Sequence, residues 1–139
     1  MKLEDQVVSY ELSIKLKELG IKYDSLYEWD KTREYLYLQR TTPRTGIEGD
    51  GVRTRAYLAT ELLDICPSEV NVDNNYYYLT IEIGNNNFVI KLITKYLKPN
   101  FTLYQHDNKN LANALAKLTI YLIENNLWSP NNDTKTTLE

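Results

Sequence analysis

A single cysteine and a single histidine in 139 residues exclude most of the chemistry a sequence can advertise. Cys66 has no partner for an intramolecular disulfide, and the pair of them do not furnish a zinc site. No CxxC or HxxxH spacing occurs. Residues 46–51 (GIEGDG) lack both the GxGxxG spacing and the GK[ST] ending of phosphate-cradling loops. Neither they nor residues 72–75 (VDNN) carry the alternating acids and closing glutamate of a calcium loop. Cys66 ends an apolar stripe, where a free thiol behaves as a small buried hydrophobe. His106, in YQHDN, reads as a polar residue ahead of a helix, and Glu48 and Asp50 read as turn-forming acids. The expectation is a non-enzymatic protein with no catalytic residues, no metal and no cofactor.

Long apolar runs are missing too. None approaches the roughly 18 residues of a membrane span, and the opening MKLEDQVVSY lacks the apolar core of a secretory signal. With the unpaired thiol, these features predict a cytoplasmic protein that does not engage a membrane. The formal net charge of −3 argues against broad nucleic-acid binding, which relies on a basic surface that releases counterions.

What stands out is residues 39–55 (QRTTPRTGIEGDGVRTR), with four arginines, four threonines and three of the five glycines. Guanidinium forks beside exposed backbone N–H groups capture phosphate or carboxylate oxygens. The candidate ligand-binding residues are therefore Arg40, Arg44, Arg53, Arg55 and Thr54, with Tyr78 offering a ring on which a base or a guanidinium can stack. The competing reading is a solvated loop whose arginines pair with Glu48 and Asp50. Twelve tyrosines against two phenylalanines suit half-buried strands and equally suit contact surfaces.

Periodicity organises the rest. Val8, Leu12, Leu16 and Leu19 form a helical stripe that Gly20 stops. DSLYEW and EYLYLQR flank a polar turn at residues 30–33 and read as a hairpin. Leu58, Leu62 and Ile65 mark a short helix ended by Pro67. YYYLTIEI, GNNN and FVIKLITKYL form the clearest hairpin, with Tyr77, Leu79, Ile81 and Ile83 on the core face and Tyr76 and Tyr78 on the other. Residues 101–104 add a short edge strand before a polar break at His106, Asp107 and Asn108. Leu111, Leu115, Leu118 and Leu122 define a long final helix capped by Asp107 or Asn108. The fold class is α+β: an antiparallel sheet built from hairpins, packed by an N-terminal and a long C-terminal helix. Residues 1–128 form one domain and 129–139 a mobile polar tail.

Three blocks, MKLEDQVVSYELSIKLKELGIKYDSLYEW, AYLATELLDICP and LANALAKLTIYLIENNLW, together cover about half the chain. In order and pattern they resemble a set of small phage- and prophage-encoded proteins with no assigned activity, so the resemblance carries over no functional residue. It implies an accessory protein acting by binding. Two roles stand side by side. One is a counter-defence factor that captures an anionic ligand such as a nucleotide messenger, or blocks a nucleic-acid-binding host defence protein. The other is a structural or assembly accessory that works through protein–protein contacts, its tyrosine-rich strand edges also suiting homo-oligomers.

Overall fold

Two antiparallel sheets and three helices make up the computed structural model, which describes residues 2–41, 52–95 and 100–130. Helix α1 (Tyr10–Glu18) starts where the Ser9 hydroxyl accepts from the Leu12 N–H at 3.4 Å. It stops at Gly20, whose φ of +97° is open to a residue without a Cβ. The N–H groups of Leu19, Gly20 and Ile21 return to the carbonyls of Lys15, Lys17 and Leu16, so the last turn satisfies its own acceptors.

The expected first hairpin is present as β1 (Tyr27–Lys31) and β2 (Leu36–Arg40), with Thr32 and Tyr35 closing the turn. Asp30 and Lys31 belong to the strand, not to the turn. A third strand, β3 (Val52–Arg55), pairs with β1 on its other side, giving the order β2-β1-β3. Four residues flanked by the glycine-rich stretch carry no readable alternation, so this strand was not legible in the sequence. Residues 42–51, with Arg44, lie outside the described residues.

Helix α2 (Ala59–Ile65) follows, and the Glu61 carboxylate reaches back to the Leu58 N–H at 2.8 Å. The same carboxylate accepts from the Ser25 hydroxyl and the Leu26 N–H, both at 2.9 Å, and so fastens the start of β1 to α2.

The second sheet has the order β4-β5-β6-β7, from β4 (Glu69–Val72), β5 (Asn75–Ile83), β6 (Phe88–Thr94) and β7 (Thr102–Asn108). The β4–β5 turn is Asp73-Asn74 with φ of 53° and 69°, the left-handed pair that a two-residue hairpin demands. Strand β7 runs on through His106 to Asn108, where a polar break was expected. The break fails because the ladder carries through it: His106 pairs with Ile90 on the inner face and is half-buried, while Gln105 and Asp107 take the wet face of an outer strand. Leu79 and Ile81 pair with buried Leu92 and Ile90, as the alternation predicts, whereas Ile83 lies at the strand end and is largely exposed.

Helix α3 (Leu111–Glu124) supplies the centre of the core, with Ala114, Leu115, Leu118 and Leu122 fully buried. Its cap is Asn110, not Asp107 or Asn108, which the extended β7 absorbs. The Asn110 side chain accepts from Asn113 N–H at 3.0 Å and donates to the Val7 carbonyl at 2.9 Å, while Asn113 Oδ1 accepts from Ser9 N–H at 2.8 Å. Ser129 and Pro130 are described, and the Tyr23 hydroxyl donates to the Pro130 carbonyl at 3.3 Å. Residues 131–139 lie outside the described residues.

Asn110→Ala removes both the cap and the tie to Val7, and is expected to cost about 2 kcal/mol in urea unfolding, about 1 for each bond. Asn110→Ser keeps a capping oxygen while giving up the amide donor to Val7, and is expected to cost about half as much.

Candidate anion-binding site

Alternation along β1 decides where the arginines go. Trp29 points into a small apolar cluster with Val7 and Ala56, and its ring N–H donates to the Val8 carbonyl at 2.8 Å. Glu28 and Asp30 therefore occupy the opposite face, and both are buried, at 2% and 8% exposure. Their cross-strand neighbours on that face are Gln39 and Tyr37 from β2 and Arg55 and Arg53 from β3.

Buried carboxylates need partners. Gln39 donates to Glu28 at 2.8 Å and to Asp30 at 3.4 Å, and the Tyr37 hydroxyl donates to Asp30 at 3.4 Å. Arg53 Nε lies 3.5 Å from Glu28 Oε2, so this arginine also neutralises an acid of the protein's own interior. Arg55 lies 3.7 Å from the fully exposed Asp24, a contact that water weakens.

Thr54, 2% exposed, pairs with Trp29 on the other face, and its buried Oγ1 has no hydrogen-bond partner among the described residues. Arg40 shares that face and stacks over the Tyr27 ring at 5.7 Å. Tyr78 belongs to the four-stranded sheet, with Lys95 above its ring at 5.4 Å. Of the sequence candidates that are described, Arg53, Thr54 and Arg55 thus sit together, while Arg40 and Tyr78 sit apart from them.

Between β3 and α1 lies a cleft of about 190 Å3 lined by Ser13, Lys17, Ile21, Lys22, Arg53, Thr54, Arg55 and Tyr57. Because β3 is an outer strand of its sheet, residues from both of its faces reach this cleft. The ladder adds backbone groups: Ala56 N–H bonds Tyr27 on the β1 side, so the N–H groups of Arg53 and Arg55 turn the other way, towards α1. Among the described residues, four cations line the cleft and no carboxylate does. Among the described residues neither Lys17 nor Lys22 has an ion-pair partner. Sequence reasoning passed over both, since lysine near a helix C-terminus is ordinary complement to the helix dipole.

The floor is fixed. The Tyr57 hydroxyl donates to the Tyr23 carbonyl at 2.7 Å, and burial raises its pKa far above that of a free phenol, so it stays a neutral donor. Elsewhere, the Cys66 thiol is buried against the Thr119 hydroxyl at 2.8 Å, and burial pushes it up to about 11. Tyr104, stacked on Tyr121 with ring centres 4.6 Å apart, is pushed up to about 12 by burial. His106 is shifted down by burial and by Lys117. Among the described residues no three of His, Cys, Asp and Glu cluster to hold a metal, and no helix is long and apolar enough to cross a membrane.

Burial of protonated Cys66 and Tyr104 means the unfolded chain releases these protons first, so stability is expected to fall as pH rises above about 9. Thermal unfolding from pH 7 to 10.5 checks the sign. At pH 8 the raised pKa alone lowers the thiolate fraction about a hundredfold, so iodoacetamide should label the native protein at least that much more slowly than the urea-unfolded chain.

No family model, curated protein or solved structure matches this chain.

Proposed function

We propose that the protein acts by binding, and that it captures a small anionic ligand in the cleft between α1 and β3. The observation that carries this reading is the lining itself: Lys17, Lys22, Arg53 and Arg55 surround one cleft, with no acid among the described residues that line it. The nearby acids among the described residues have partners of their own. Glu28 holds Arg53 and Gln39, Asp24 touches Arg55 from solvent, and the Glu61 carboxylate receives three donors. Cations gathered from two elements around a concavity favour phosphate or carboxylate oxygens over a neutral ligand. For a chain that resembles phage-encoded accessory proteins, sequestering a nucleotide messenger of a host defence is the role such a cleft would serve.

A second reading, an assembly accessory, draws on a different surface. Leu36 and Tyr37 are 43% and 45% exposed on the outer strand β2, and Tyr35, in the turn just before it, is 67% exposed, an edge of the kind that pairs with another chain. Light scattering that gives a dimer, abolished by Leu36→Lys, would favour it.

Thermal-shift measurement against inorganic phosphate and a panel of nucleotides tests the main reading. A ligand at about 100 times its dissociation constant should add roughly 2.7 kcal/mol of stability. The combined replacement Lys22→Ala, Arg55→Ala should weaken that ligand at least tenfold while barely moving the melting temperature of the free protein, because both side chains are solvent-exposed. Arg53→Ala is the less informative variant, since it also strips a partner from buried Glu28. No shift with any anion would sink the reading.

A further inference from the structure

The cleft's size and its ring of donors narrow the ligand, if the anion-binding reading above holds. At about 190 Å3 the space is smaller than the roughly 300 Å3 at which pockets begin to enclose a whole drug-sized ligand, so a nucleotide would enter it only in part. Its lining comes from separate parts of the chain, Lys17 from the end of α1, Lys22 from the segment after it, and the arginines from β3. A group gripped by lysines and arginines together must offer ionised oxygens to both. A phosphomonoester presents three terminal oxygens carrying nearly two charges at neutral pH. A diester presents two oxygens with a single charge, and its second ester arm needs a further exit from the cleft.

Thr54 supplies the independent sign of a missing partner. Thr54 lines the same cleft, and its buried hydroxyl has no hydrogen-bond partner among the described residues, a condition that normally costs free energy. An acceptor oxygen of a bound ligand would relieve it. Among the described residues the only aromatic in the lining is Tyr57, which is buried at 1% exposure. The site therefore has the means to hold a phosphate and little with which to read a base.

We infer that the cleft recognises the terminal phosphomonoester of a small metabolite or nucleotide, gripped by Lys17, Lys22, Arg53 and Arg55 with the Thr54 hydroxyl, and is largely indifferent to what that phosphate is attached to.

Calorimetric titration of the full chain with ribose 5-phosphate, AMP and 3′,5′-cyclic AMP tests this. The first two are expected to bind within about threefold of each other, and the cyclic diester at least tenfold more weakly. Equal affinity for AMP and cyclic AMP would overturn the monoester assignment while leaving an anion site intact. Binding by AMP but not by ribose 5-phosphate would overturn the indifference to the base. Absence of binding by all three, and by inorganic phosphate, would overturn both this inference and the function it rests on. Thr54→Val gives a readout that a purely structural hydroxyl would not move: the free protein should melt no lower than the parent, and AMP affinity should fall severalfold. Unchanged AMP affinity in that variant would remove Thr54 from the site.

Discussion

The burial of Trp29 is the constraint on which the small sheet depends. With its ring N–H committed to the Val8 carbonyl and its ring set edge-on to Tyr10, the strand has one permissible register. A slip of one residue would drive Glu28 and Asp30 into the apolar cluster and turn Trp29 out. That single choice places two acids on the opposite face. It also sets Arg53 and Arg55 on the same face through the β1–β3 pairing, one of them required to neutralise Glu28. The arginines are thus products of the register before they are anything else.

What turns them into a binding surface is the position of α1. The helix is held against α3 by the Lys15–Glu124 ion pair at 3.1 Å, by Asn113 on Ser9, and by burial of Leu16 among the core leucines. The segment leaving β3 is held by Val8 N–H on the Tyr57 carbonyl and by Ser25 on the Ala56 carbonyl. Both walls of the cleft are consequently anchored to the same N-terminal stretch. A pre-set arrangement of cations loses little entropy when a ligand arrives, which is the condition for a small anion to bind measurably in competition with water.

The sequence displays its strongly periodic parts openly. Leu111, Leu115, Leu118 and Leu122 announce α3, Gly20 announces the end of α1, and Leu79 and Ile81 announce the core face of β5. Elements whose signal is short or mixed were hidden. Val52–Arg55 is too brief for alternation to register, and β4 is recognisable only through the Asp73-Asn74 turn. The polar run at His106 masks a strand because its neighbours, not its own composition, hold it in the ladder. At the candidate site, a linear view gathers Arg40, Arg53, Thr54 and Arg55 into one loop. The pleat instead sends the side chains of Arg40 and Thr54 to the face opposite those of Arg53 and Arg55. Lys17 and Lys22 come from 30 or more residues away in the chain, so no local pattern could have joined them to the arginines.

The most direct test of the cleft is side-chain NMR of 15N-labelled arginine during titration with inorganic phosphate. If the cleft is the site, the Nε–Hε signals of Arg53 and Arg55 shift together, saturate with one dissociation constant and slow their exchange with solvent, while those of Arg33 and Arg40 stay in place. Uniform small shifts of all arginines that do not saturate would mean that phosphate meets them only as screened surface charge, and the account would be wrong.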